Sequence, residues 1–243
     1  MSKKNHGHID CACVIHGSLY DWQYVERLYN MLCRNLHKEV RMHVYTEHDR
    51  SVPPHMIKHI LEDWGISGPR RSWWYKMQLF NPEFHKGPLL YFDLDCVITR
   101  DISWILDCDP KQFWAIRDFK QLQNANTQTL NSSVMWWDTE QFADVWKNFS
   151  QLNINDIVKK FPGDQDYLTQ TIAYNRRRFF DDYQFESYRW QVLDGGYDFA
   201  RRRHKTPGSG SQIADRTSVI VFHGKPKPHQ VTDPLVQSLW GSL

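Results

Sequence analysis

Leu89-Leu90-Tyr91-Phe92-Asp93-Leu94-Asp95 is the stretch on which the fold reading turns. A continuous apolar run that ends in acids is how a strand covered on both faces reads when it delivers polar side chains to its carboxyl end. Open α/β sheets bind their ligands at that end. Two carboxylates two positions apart can share one hard cation where the backbone turns, and Mg²⁺ or Mn²⁺ suits such oxygen ligands. The D-x-D pattern by itself is short and common, and a helix-capping acid beside a solvated one would account for it. The buried strand in front shifts the balance, because it fixes the pair at a sheet's functional edge.

Outward from this strand the chain keeps an alternating rhythm. Residues 9–15 read as a first strand, followed by a polar turn at 16–18 and a helix in which Trp22, Val25, Leu28, Tyr29 and Leu32 recur at helical spacing, with Ser18 and Asp21 suited to its start. A short strand at 42–45 precedes Pro53-Pro54 and a helix expected to carry Met56, Ile60 and Leu61. Further strands are expected at 113–116, 134–137 and 219–222, and helices around Phe142, Val145, Trp146 and Phe149 and over 164–174. Strand, helix, strand, helix is the signature of an α/β fold.

Composition narrows the class. At 243 residues, 41% of them hydrophobic and 14% aromatic, the chain supports one substantial core, so 1–243 reads as a single domain, with 1–8 and about 204–215 as flexible stretches. A net charge of +2 excludes the broad positive field of a dedicated nucleic-acid binder. Five cysteines without C-x-x-C spacing fit neither a zinc ribbon nor a disulfide framework. No apolar run approaches the ~20 residues of a membrane span, and the start MSKKNHGHID lacks an apolar signal core. The expectation is a cytoplasmic protein without a transmembrane segment.

A second strand-to-polar transition occurs in VIVFHGKPKPH (219–229). A neutral His223 imidazole suits a third metal ligand, Gly224 lets backbone approach closely, and Lys225 or Lys227 can meet phosphate as a point charge. A strand followed by a Pro-rich surface turn explains the same letters.

Together, YFDLDCVITRDI (91–102), NSSVMWWD (131–138), GDQDYLTQ (163–170) and FHGKPKPH (222–229) resemble the glycogenin-type retaining glycosyltransferases of the GT-A fold. The resemblance spans most of the chain and implies a Rossmann-like nucleotide-diphospho-sugar transferase domain with a central mixed sheet. It implies Asp93, Asp95 and His223 as ligands of Mn²⁺ or Mg²⁺, and a nucleotide-sugar donor, a UDP-sugar. The lysine of Lys227-Pro228 falls at the family's diphosphate contact, Tyr20 at its nucleobase aromatic, and Lys76 at its donor-reaching lysine. Asp118, Asn131 and Ser132 match donor-sugar contacts, while Asp164 and Gln165 match the Asp-Gln pair beside the anomeric carbon. Ser133 stands where the family has glycine, His229 where it has an aromatic residue, and the spacing from His223 to the lysines is compressed.

Each of these residues also has an ordinary use. Tyr20 can pack at a helix start, Asn131 and Ser132 can satisfy a turn, Asp164 can cap a helix, and Lys76 can cover Trp73 and Trp74 with its stem. The runs Arg176-Arg177-Arg178 and Arg201-Arg202-Arg203 read first as solvated faces; an anionic glycan acceptor is the alternative. Two rival functions stand beside sugar transfer to a glycan or other hydroxyl acceptor. FDLDCVITRD also looks like the phosphate motif of haloacid-dehalogenase-type phosphatases, with Asp93 as nucleophile, and a non-catalytic nucleotide-sugar binder would share the fold without turnover.

Overall fold

The computed structural model describes residues 7–66, 72–193, 197–198, 200, 203–204 and 213–241. The Arg201-Arg202-Arg203 run, most of the Gly/Ser-rich stretch after it and the first six residues lie outside the described residues or carry no described side chains.

The chain opens with β1 (His8–Ile15), helix α1 (Trp22–Asn35), β2 (Glu39–Thr46) and β3 (Ile57–Ile60). A 3-10 helical segment (Ser72–Phe80) leads to β4 (Pro88–Phe92), the short β5 (Cys96–Ile98), β6 (Phe113–Arg117) and β7 (Leu130–Asp138). Then come α2 (Ala143–Ser150), α3 (Ile154–Lys160), α4 (Asp164–Thr171), β8 (Arg177–Phe179), β9 (Phe185–Ser187), β10 (Tyr197–Asp198), β11 (Arg203–His204), β12 (Val219–Val221) and α5 (Pro234–Trp240).

Seven strands form one mixed sheet in the order β3-β2-β1-β4-β7-β6-β8. β1, β2, β3 and β4 run parallel, and β7 enters antiparallel between β4 and β6. The expected central strand is therefore central: β4 lies between β1 and β7, with Leu89, Leu90 and Phe92 fully buried. Its side chains alternate between two cores. Leu90 and Phe92 face the layer containing α1 and α5, whereas Leu89 and Tyr91 face the 3-10 segment, α2 and α4. A three-stranded sheet, β5-β12-β9, closes the first layer.

One expected element is corrected. Met56, Ile60 and Leu61 are not on a helix; Ile57–Ile60 is an edge strand paired with β2 from His43 to Thr46, and the Leu61 N–H continues the ladder to the Thr46 carbonyl at 2.9 Å. Helical spacing of three apolar residues was outweighed by an open backbone edge on β2, which offers partners to the N–H and C=O groups of β3 that face it. Asp21 does sit at the N-cap of α1, but its side chain makes no capping bond. No helix among the described residues is long and apolar enough to cross a membrane.

The second core is aromatic. Trp137 is fully buried, stacked on Phe80 at 4.9 Å between ring centroids and tilted against Phe113 at 5.9 Å. Truncating a ring of this size leaves a cavity that neighbours fill only partly. Trp137→Ala is expected to lower unfolding free energy by about 3–5 kcal/mol, read as a shifted urea midpoint at unchanged slope.

Candidate active site

The chain turns immediately after β4, with the Cys96 N–H bonded to the Asp93 carbonyl at 3.2 Å, so Asp93 and Asp95 leave the sheet at its carboxyl edge. Asp93 follows Tyr91 at the strand end and accepts a 2.6 Å bond from the Tyr91 hydroxyl. Lys76, brought in by the 3-10 segment and nearly inaccessible, sits 2.8 Å from Asp93 Oδ1 and 3.6 Å from Asp164 Oδ2. It also donates to Ser132 Oγ at 3.2 Å. Burial opposes the charge on Lys76, but the Asp164 and Asp93 carboxylates outweigh it and lift its pKa above the ordinary lysine range.

Ser132 reaches this cluster because of a bulge. Ala115 of β6 pairs with Met135 and Ile116 with Asn131, leaving Ser132, Ser133 and Val134 without partners on that side. On the other side β7 still pairs with β4, and the Asp93 N–H donates to the Ser133 carbonyl at 2.7 Å. The bulge thus re-aims the Asn-Ser-Ser stretch toward the acids. Asn131 is spent locally, its Oδ1 accepting from the Ser133 N–H at 2.9 Å.

Asp164 is the first residue of α4, not its cap; Gly163 holds that position. Its carboxylate is buried, and among the described residues Oδ2 accepts no hydrogen bond, its ion pair with Lys76 apart. Burial raises its pKa, only partly offset by Lys76. Next to it, Gln165 donates through Nε2 to Asp118 Oδ2 at 2.9 Å, while Asp118 Oδ1 accepts from the Lys120 N–H at 2.8 Å.

Asp95 is compensated from two directions. The Tyr20 hydroxyl donates to Oδ2 at 2.8 Å, and the Lys227 ammonium bonds to the same oxygen. Burial pushes the Asp95 pKa up against the pull of Lys227. Tyr20 accordingly points its hydroxyl at the acid, with its ring against Tyr24 at 4.7 Å. Lys227 is the lysine that reaches the acids; Lys225 lies exposed. Gly224 adopts φ +76°, a left-handed conformation that strains any residue with a Cβ.

His223 is a near neighbour by backbone. β12 pairs antiparallel with β5, Val221 opposite Cys96, and the Phe222 N–H bonds to the Asp95 carbonyl at 3.2 Å, which puts His223 beside the acid pair in register. Its imidazole, however, is 2.6 Å from Ser187 Oγ through Nε2, stacked on Phe119 at 5.4 Å and edge-on to Trp190 at 4.5 Å. Asp93, Asp95 and His223 do not converge as a closed ligand set in this arrangement; among the described residues the acid and imidazole atoms that do converge belong to Asp10, His43 and His85. Ser187 and Trp190, which the sequence reading missed, come from β9 and the turn after it and carry no local motif.

No protein-family model and no curated protein sequence matches the chain. Solved structures do match its shape. An active-site glutamine-to-glutamate mutant of LgtC superposes with a TM-score of 0.65 at 12% identity, over 95% of this chain and 94% of that one. The galactosyltransferase LgtC in complex with donor and acceptor sugar analogs gives 0.63 at 14% identity, over 97% and 96%. The glycosyltransferase GlyE of Streptococcus pneumoniae TIGR4 gives 0.64 at 15% identity, over 96% of this chain and 60% of that one. The fold is GT-A. Within this GT-A scaffold, Tyr20, Lys76, Asp93, Asp95, Ser132, Asp164 and Lys227 form two bonded groups at the carboxyl edge of β4, and Asp118 with Gln165 forms a third.

Burial first, and Arg189 second, depress the His223 pKa to about 4 from an ordinary 6.5. A depressed folded pKa means that the unfolded chain takes up the proton first, so its stabilising contribution is complete above pH 6.5 and is lost as pH falls toward 4. Raised carboxylates such as Asp95 and Asp164 act with the opposite sign, so the comparison must be made between variants. Urea unfolding across pH 7 to 4 is expected to show a shallower loss of stability in His223→Gln than in wild type.

Proposed function

We propose that this chain is a metal-dependent glycosyltransferase moving a sugar from a nucleotide-diphospho-sugar, a UDP-sugar, to a glycan or other hydroxyl acceptor with retention. The observation that carries the reading is the joint enclosure of Asp93, Asp95 and Asp164 with two ammonium groups at the carboxyl edge of β4. Three acids in so little space are a poor structural device but a good fit to a donor whose diphosphate arrives with a divalent cation.

The donor set suits Mn²⁺ or Mg²⁺: Asp93 and Asp95 supply hard carboxylate oxygens, and both already attract cationic partners in Lys76 and Lys227. His223, neutral and adjacent to Asp95 through the β12–β5 ladder, is the candidate third ligand. Bound there, the cation would neutralise charge on the departing diphosphate. Lys227 would transfer its contact from Asp95 to a phosphate oxygen, which is the family's role for the lysine of Lys-Pro. Gly224, exposed and left-handed, lets the backbone follow the phosphates closely. Lys225 stands beside it as a second, solvated cation.

On the sugar side, Asp164 Oδ2 is buried, faces Lys76 at 3.6 Å and accepts no hydrogen bond among the described residues, which leaves it capacity to accept a sugar hydroxyl. Lys76 links Ser132 to the same carboxylate, Asn131 supports the bulge that carries Ser132, and Asp118 holds the neighbouring Gln165. Gln165, held by Asp118, is the residue assigned here to the anomeric carbon; LgtC, of the same fold, has an active-site glutamine. In the retaining mechanism the acceptor hydroxyl attacks from the face the diphosphate leaves, and the leaving phosphate takes its proton. Asp164 and Gln165 then orient and stabilise an oxocarbenium-like sugar and need form no covalent bond to it. Tyr20 lies beside Asp95 for the base and ribose side of the donor.

The phosphatase reading has less behind it. That family places its aspartate after the first strand of the fold, whereas Asp93 follows the fourth of this chain.

A thermal-shift screen of nucleoside diphosphates and nucleotide-sugars with Mn²⁺ tests the proposal. UDP or its sugars should raise the melting temperature of wild type, Asp95→Ala should abolish the rise, and Gln165→Glu should retain it while losing transfer about 10-fold or more. Burst release of phosphate from small phosphomonoesters, with no response to nucleotide, would contradict it.

A further inference from the structure

At the opposite, amino edge of the same sheet lies a second polar cluster that the sugar-transfer reading does not use. Asp10 on β1 and His43 on β2 share the face of the sheet that carries Ala12 and Tyr45, and His85 arrives from the turn just before β4. His43 Nε2 is 2.9 Å from Asp10 Oδ1, and His85 Nε2 is 4.0 Å from Asp10 Oδ2. One ligand atom from each of the three lies within 4.8 Å of the others. Since β1 and β4 run parallel with Cys11 opposite Leu90, Asp10 stands four residues before Asp93 along the sheet, roughly 13 Å of strand rise, and His43 lies two strands away from β4.

We propose that Asp10, His43 and His85 form a binding site for a divalent transition metal of the zinc class, separate from the donor site.

Ligand chemistry distinguishes the two edges. The carboxyl edge offers two carboxylates, which suit Mg²⁺ or Mn²⁺; the amino edge offers two imidazoles and one carboxylate, a set that suits zinc. Ligand atoms around a tetrahedral zinc stand roughly 3.3 Å apart, so the present arrangement needs side-chain movements on the order of 1 Å and none of the backbone. Outer contacts of the kind that orient metal-bound histidines are already present. His43 Nδ1 is 2.8 Å from His59 Nε2 on β3, with the rings stacked, so the far nitrogen of His43 is held while Nε2 faces Asp10.

Without metal, Asp10 is balanced by Arg41, which binds it through two nitrogens, and by His43. Arg41 is half exposed and can withdraw to solvent. It also lines, with His8, Tyr29, Cys33 and His55, a cleft of about 390 Å³. His8 Nε2 stands 4.0 Å from Asp10 Oδ2, so the cluster borders that cleft and has an entry path as well as a nearby fourth nitrogen. The bound ion would pin β1, β2 and the turn into β4 together behind the donor site.

The test is titration of ZnCl2 into the full-length, EDTA-stripped chain in competition with a chromophoric chelator. Wild type and Asp95→Ala should each hold one tight Zn²⁺. His85→Gln and Asp10→Asn should weaken it at least 100-fold, and His59→Gln about 10-fold. Absence of tight Zn²⁺ in wild type, its loss in Asp95→Ala alone, or its survival in both His85→Gln and Asp10→Asn would overturn the assignment. X-ray absorption at the zinc edge of the wild-type complex gives a second readout that needs no variant to fold: two imidazole ligands support the site, and an all-oxygen shell overturns it.

Discussion

Two carboxylates, Asp95 and Asp164, leave water at the end of β4 beside the partly exposed Asp93, and that is tolerable only because Lys76 and Lys227 go with them. Burial on its own would drive Asp95 and Asp164 toward the neutral form, as their raised pKa values record. The two lysines answer this differently. Lys76 is enclosed on a packed 3-10 segment and touches Asp93, Asp164 and Ser132, so its charge is built into the fold. Lys227 comes from a surface turn after β12 and meets Asp95 alone among the acids, so its charge can be exchanged for another.

The sheet supplies what this arrangement needs. Parallel strands β1 and β4 end on one side, which brings Tyr20 and the acid pair together across a hydrogen-bonded pair. β7, antiparallel and bulged at Ser132, returns a polar stretch to that edge where a regular strand would have kept pairing with β6. β12, laid against β5, carries His223 and Lys227 in behind Asp95. The acid pair, Ser132 and His223 are therefore set by backbone pairings, and the two cores on either face pack against those strands.

Much of this was legible in the sequence. The run 89–92 announced a central strand because nothing but apolar residues fits between two cores, and that strand set the acids after it at the sheet's carboxyl edge, which the short D-x-D pattern alone does not do. The family resemblance named Tyr20, Lys76, Asp118, Ser132, Asp164, Gln165 and Lys227, and their hydrogen bonds and ion pairs join them in three groups; their roles toward a donor belong to the proposal. Edge strand β3 was misread as a helix, since four half-exposed residues show no alternation strong enough to oppose helical spacing. Ser187 and Trp190 around His223 were invisible because their proximity depends on β9 pairing with β12 across some thirty intervening residues. The Asp10, His43 and His85 group escaped for the same reason: one residue from each of three segments makes no motif.

The central claim is that Lys227 holds Asp95 in place of a cation, and electron paramagnetic resonance of free Mn²⁺ tests it most directly. Titrated into nucleotide-free protein, Mn²⁺ should bind Lys227→Met on the order of 10-fold more tightly than wild type, because a competing charge has been removed from the acid. Equal or weaker binding in Lys227→Met would contradict the account.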